Sequence, residues 1–261
     1  MRAVPRWRLI GAGCALVVLL ALITKVAWLS EDAYITFRTA HNVLQGYGLR
    51  WNVAERVQAY THPLWLFCVL PVYAVLGHVG ISALVVSAAA TVSHVMLLAR
   101  HIARGPVGLG VAVCVLASSR AFLEYSTSGL ENPLTFLLIA IFYVGYAMRD
   151  VPEGEELEGW PIWALSLGTG LAMFNRMDTL LFFAPAMFEV LWRRRRMGSR
   201  AIVEAGSGAL VVFGWMAFSV VYYGVPFPNT AYAKLGTGIE RAEMVRQGIR
   251  YVQESLSVDP V

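Results

Sequence analysis

The sequence predicts an all-α fold, a polytopic bundle of about seven membrane-crossing helices whose outer first loop carries a juxtamembrane segment. Three observations predict it. The 261 residues are 57% hydrophobic and only 15% charged, against roughly 25% charged in an ordinary soluble domain, and the mean hydropathy is +0.59. The apolar residues gather into runs suited to helices in a hydrocarbon core of about 30 Å. The runs do not alternate, which excludes a barrel, the other structure that satisfies its backbone in lipid.

Taken in order, the candidate spans are 9–29, 80–99, 106–122, 133–148, 160–174, 179–192 and 201–223. The first comes after an arginine-rich start and resembles a signal peptide. Its apolar run exceeds an h-region of about 7–15 residues and no small-residue cleavage site succeeds it, so it reads as an uncleaved span. Several others are short for a perpendicular crossing. A further apolar segment, 63–76, decides the topology, because counting it as a span reverses everything after it. If it lies along the interface, the basic amino terminus, Arg100 to Arg104 and Arg193 to Arg196 share the cytoplasmic side, as the positive-inside rule prefers. Its brevity and Pro71 favour that placement.

The net charge of +4 and pI near 9.1 then mark the loops flanking apolar spans, not a nucleic-acid surface. Cys14, Cys68 and Cys114 are widely separated in apolar sequence, so neither a disulfide framework nor a metal site is expected, and they read as small buried hydrophobes. Segments 31–62, 120–132, 175–178 and 224–234 fall together on the outer face. The inner loops carry the basic clusters and the acidic stretch 153–156, read as a solvated turn. Polar chemistry therefore collects on one side of the membrane. The chain reads as one module, 1–261, with an outer loop at 30–79 and an amphipathic outer segment at 224–261 that is helical over 239–256. Its last residues, Asp259-Pro260-Val261, look like the start of another element, so the chain reads as an amino-terminal fragment or a truncated gene product.

The adjacent carboxylates Glu31 and Asp32 come just after the first span. Two neighbouring carboxyls repel when ionised, so one can act as a proton acceptor while the other orients a polar group or a divalent cation; the plain alternative is that they end a hydrophobic helix. Asp32 is taken as the base and Glu31 as the group holding an acceptor hydroxyl or a cation, with the roles exchangeable. Arg38 would pair with a phosphate or with the acids. His62, before Pro63, would meet a phosphate through its imidazole. Glu131 at the mouth of a span needs a partner. Arg176 and Asp178 form either an ion pair or a sugar and phosphate contact. Lys234, with Asn229 and Tyr232 outside the last span, would offer a point charge to a lipid-linked phosphate or snorkel at the interface. No residue spacing matches a metal centre.

Several of these residues stand in one pattern: Glu31-Asp32-Ala33-Tyr34-Ile35-Thr36-Phe37-Arg38, then Gly46-Tyr47-Gly48-Leu49-Arg50-Trp51-Asn52, then Val57-Gln58-Ala59-Tyr60-Thr61-His62-Pro63-Leu64-Trp65, then Ser128-Gly129-Leu130-Glu131-Asn132-Pro133-Leu134. With Asn175-Arg176-Met177-Asp178 and the stretch 222–234, it resembles the C-type (GT-C) membrane glycosyltransferases, and among them the terminal β-(1→2) arabinofuranosyltransferases of mycobacterial cell-wall arabinan synthesis. The resemblance implies a polyprenyl-phosphate sugar as donor and an extracytoplasmic glycan acceptor. It also implies an inverting transfer with a first-loop carboxylate as base, and a multi-pass place in the bacterial cytoplasmic membrane with the site facing outward. The chain departs from the family in having Glu31-Asp32 where two aspartates are common, and in lacking the later spans and outer domain. The rival reading is a transporter or glycolipid-binding subunit in which the acidic pair binds a coupling ion. That role favours ionisable residues in mid-span, and Glu189 alone fits it.

Overall fold

A computed structural model describes residues 6–103, 105–147, 160–235 and 238–258. The acidic stretch 153–156, Arg2, Arg104 and the final Asp259-Pro260-Val261 lie outside the described residues. Among the described residues every regular element is helical.

Helix α1 (Arg6–Lys25) rises to a loop that feeds α2 (Ala33–Leu44). Gly46 and Gly48, both at positive φ, lie just past α2 and turn the chain away, the left-handed exit that glycine makes at little cost. Next come α3 (Pro63–Leu76), α4 (Val79–Leu97) with a π-helical turn at Leu98–Ile102, α5 (Pro106–Ser118) and α6 (Arg120–Tyr125). The expected span 106–122 is broken at Ser119, whose hydroxyl accepts the Phe122 N–H at 3.2 Å and starts a new helix. The chain continues through α7 (Asn132–Ala147), α8 (Ile162–Asn175), α9 (Leu180–Arg193), α10 (Ser199–Tyr223), α11 (Asn229–Leu235) and α12 (Arg241–Val258).

Length and composition allow two of these helices to cross a membrane, Val79–His101 and Ser199–Tyr223, and five more are apolar but shorter. Large apolar side chains face outward along them, Val221 at 86% and Val75 at 83% exposure among them. Cys14 and Cys114 are exposed too, and Cys68 is half-buried, so the expectation of buried cysteines fails: their small side chains sit on helix faces that the bundle does not cover. Pro71 lies inside α3 without ending it.

Two packing relations govern the arrangement of the helices. Ala33 and Phe37 of α2 and Trp65 and Val69 of α3 cluster on Ala83 of α4, whereas Ala12 of α1 meets Ala99 and Ala103 beyond its far end. Helices α2 and α3 therefore stay at one end of the bundle, beside the first turns of α4. Helices α8 and α10 are pressed together at Gly170 and Gly208, where a Cβ on either would strike the other's backbone or that of Ser166. Small residues are what permit helices to come this close.

Candidate active site

After α1 the chain is tied across the bundle. The Trp28 indole donates to the Glu124 carbonyl at 3.0 Å and the Ser30 N–H to the Ser128 carbonyl at 2.9 Å. These bonds deliver Glu31 and Asp32 to the start of α2. Asp32 is the N-cap residue, yet its carboxylate caps nothing and instead lines a cavity of about 520 Å³. Four distant stretches of sequence converge there: Asp32; Gln58, Thr61 and Pro63; Glu131; and Met173 to Asp178. The far wall comes from Trp215, Pro226 to Pro228, Thr230, Ala231 and Lys234.

A string of charged groups runs along one side. Glu131, 7% exposed, holds His62 Nδ1 at 3.1 Å through one oxygen and Arg176 at 3.5 Å through the other. Arg176 in turn grips Asp178 with two nitrogens, at 3.1 and 2.7 Å. That fork raises the guanidinium's already high value and holds the Asp178 carboxyl below the usual carboxylate range. Burial pushes the His62 imidazole down, Glu131 works against that shift and Arg176 adds to it. Since a carboxylate only accepts, Nδ1 carries the proton and Nε2 accepts from the Thr36 hydroxyl at 2.6 Å. The Thr61 hydroxyl also lies 3.3 Å from Nδ1. Asn175, fully buried, donates to the Glu131 carbonyl and to the Thr135 hydroxyl, which fixes the end of α8 against the start of α7.

The opposite wall is aromatic and apolar. Phe174 and Trp215 meet at 5.2 Å between ring centroids, and Phe67 joins both. At Met173 and Val212 the cavity is adjoined by a groove of about 220 Å³ between α8 and α10, lined by Thr169, Gly170, Gly208 and Phe213. The chamber, with its charged side, and the apolar slot thus share the wall made by Met173 and Val212.

Of the residues singled out in the sequence, Asp32, Glu131, Arg176, Asp178 and Lys234 come together around this chamber, and His62 stands directly behind Glu131. Glu31 is exposed beside Asp32 but does not line it. Arg38 is turned away, stacked 4.3 Å over Trp51 and 3.5 Å from Asn52. Asn229 begins α11 and uses its backbone N–H to meet the Gln58 carbonyl; Tyr232 is exposed outside the chamber. Among the described residues no group of three or more His, Cys, Asp or Glu is set to hold a metal ion.

Three lining or supporting residues carried no role in the sequence reading. Gln58 is buried and lines the chamber, donating to the Tyr60 carbonyl and accepting from the Ser219 hydroxyl. Thr36 anchors His62. Trp215 forms the back wall. Gln58 and Thr36 stand inside the quoted pattern, where polar residues flanked by apolar ones were the available signal.

No family model and no solved structure matches the chain. Two curated proteins do. The terminal beta-(1->2)-arabinofuranosyltransferase of Corynebacterium glutamicum is 28% identical over 243 residues, covering 83% of this chain and 35% of that protein. The protein of the same name from Mycobacterium tuberculosis is 24% identical over 245 residues, covering 86% of this chain and 37% of that one. The chain therefore spans little more than a third of the length of the curated relatives it matches, and the resemblance read from the motifs falls on these same enzymes.

Proposed function

From that likeness, we propose that the chain is a catalytic part of a membrane glycosyltransferase that moves a sugar, arabinofuranose in the first instance, from a polyprenyl phosphate to a glycan acceptor. One observation carries the reading. The Asp32 carboxylate, unspent on any cap, faces a chamber that also presents Arg176 and Lys234 and that is adjoined by an apolar slot between α8 and α10. A base, cations for a phosphate and a trough for a hydrocarbon tail are what this donor requires.

In the reaction, Asp32 takes the proton from an acceptor hydroxyl as its oxygen attacks the anomeric carbon. The bond from that carbon to the phosphate oxygen breaks, and polyprenyl phosphate departs with the electron pair as a dianion. Arg176 offers a planar fork to two of its oxygens and Lys234 a point charge, so the developing charge meets groups already in place. Attack opposite the leaving group inverts the anomeric centre. Glu31, outside the chamber, orients the acceptor or a cation on its way in. The packing of α2 and α3 on the first turns of α4, at one end of the bundle, supports a site near one membrane surface. The arginine distribution supports an extracytoplasmic one.

The test is an assay of membranes containing the protein in its natural length, supplied with radiolabelled polyprenyl-phosphate sugars and an arabinan acceptor. Transfer from a polyprenyl-phosphate arabinofuranose is the expected result. Transfer only from a nucleotide sugar would refute the reading.

A further inference from the structure

We infer that His62 is a positioning residue for this transfer: a buried strut that, through the Thr36 hydroxyl, sets the reach of Asp32 into the chamber. The inference rests on the proposed glycosyl transfer and replaces a direct phosphate contact for His62, whose two ring nitrogens are both engaged. Nε2 meets Thr36 Oγ1 at 2.6 Å and Nδ1 meets Glu131 Oε2 at 3.1 Å. The His62 side chain is 8% exposed and does not line the chamber.

The geometry explains why such a strut matters. Thr36 lies four residues after Asp32, on the same face of α2 and one turn along it. Asp32 itself takes no side-chain hydrogen bond or ion pair among the described residues. Its placement depends on the backbone entering α2, fixed at Ser30, and on what holds α2 one turn later. Thr36 is fully buried, so its bond to His62 is a permanent feature of the packed state. Through Glu131 the same imidazole reaches Arg176. One ring therefore links the base-bearing helix to the cationic side of the chamber, across 26 residues of sequence in one direction and 69 in the other, counted from the residue numbers. A misplacement of about 1 Å at a reacting group costs on the order of 10²-fold in rate.

The two halves of the strut separate by substitution. In His62→Asn the amide nitrogen takes the place of Nδ1 and keeps Glu131 while releasing Thr36; in His62→Gln the amide carbonyl takes the place of Nε2 and keeps Thr36 while releasing Glu131. Thr36→Val removes only the hydroxyl, and Thr36→Ser restores it. Measured on the natural-length protein in membranes, Thr36→Val and His62→Asn should each lower kcat by about tenfold to 10²-fold with the donor KM unchanged. Thr36→Ser should keep kcat near wild type, His62→Gln should raise the donor KM instead, and the Thr36→Val/His62→Asn pair should be no worse than either single change. A Thr36→Val enzyme of wild-type kcat, or effects that multiply in the pair, would overturn the inference.

A readout without turnover keeps the two claims apart. In a background stripped of the three native cysteines, Asp32→Cys reports its own position by its rate of thiol labelling, and adding Thr36→Val should change that rate severalfold. An unchanged rate overturns the strut, whether or not the wild type transfers sugar. A wild type that transfers none defeats the glycosyl-transfer reading alone.

Discussion

Gly208 on α10 lies against Ser166 on α8 so closely that its N–H donates to the Ser166 hydroxyl at 3.1 Å, while an added Cβ would meet the Ser166 main chain at less than contact distance. The groove below the chamber owes its shape to this approach. Gly208→Ala should destabilise the protein by about 1–3 kcal/mol, because backbone cannot yield as a side chain does, and should raise the KM for a lipid-linked donor. Gly206→Ala, inside the same helix and meeting nothing within 4 Å, should leave the KM unchanged and raise stability by about 0.5–1 kcal/mol. Thermal denaturation in detergent and donor titration check the pair.

Arg176 is presented to the chamber already clamped by Asp178. A phosphate must compete for that fork. Asp178→Asn should therefore tighten the binding of a polyprenyl phosphate, and Arg176→Lys, which loses the planar two-point contact, should weaken it by about tenfold. Equilibrium binding in nanodiscs gives both directions.

The His62 ring sets a pH dependence whose sign is fixed by its burial. Its folded value lies below the ordinary 6.5 because burial disfavours the charged ring. The unfolded chain thus binds a proton below pH 6.5 that the folded chain refuses, so this contribution is full above 6.5 and is lost progressively as the pH falls from 6.5 to the lower folded value, at no more than about 1.4 kcal/mol per pH unit. Asp178, held low by Arg176, acts in a separate window, present above 3.8 and lost below it. The melting temperature of the wild type should fall between pH 6.5 and about 5, and His62→Asn should flatten that fall. Equal slopes in the two proteins would argue against a neutral buried ring.

The orientation is tested by thiol labelling of intact cells. In the cysteine-free background, Asn52→Cys should react with a membrane-impermeant reagent and Ser199→Cys should not. Labelling at position 199 would make 63–76 a span and put the arginine cluster outside.

Much of the architecture was legible because apolar runs have lengths. The segment 63–76 is found as a helix with those same ends, and α4, α7 and α10 begin or end within two residues of the expected spans. The break at Ser119 was hidden, since one capping hydroxyl interrupts an apolar run without changing its composition. Length and composition support two crossings outright, because the apolar stretches of α1, α3, α5, α7 and α8 are short and their reach depends on tilt and neighbours, which periodicity does not encode. The charged residues of the chamber were legible as ionisable groups at span ends. The roles of Thr36, Gln58 and Trp215 were not: their partners His62, Ser219 and Phe174 lie 26 or more residues away, and no local pattern reports such a meeting. Arg38 shows the converse, a motif residue whose aromatic neighbour Trp51 draws it away from the site.

The central claim is that Asp32 accepts the acceptor's proton in the chamber, and the most direct measurement is kcat for transfer from a polyprenyl-phosphate sugar by Asp32→Asn beside Glu31→Gln, in the natural-length protein with donor binding measured in parallel. The amide keeps the shape of the carboxylate and loses its basicity, so Asp32→Asn should bind donor normally and turn over about 10²–10⁴-fold more slowly, with Glu31→Gln far less affected. Near-normal turnover in Asp32→Asn would contradict the account.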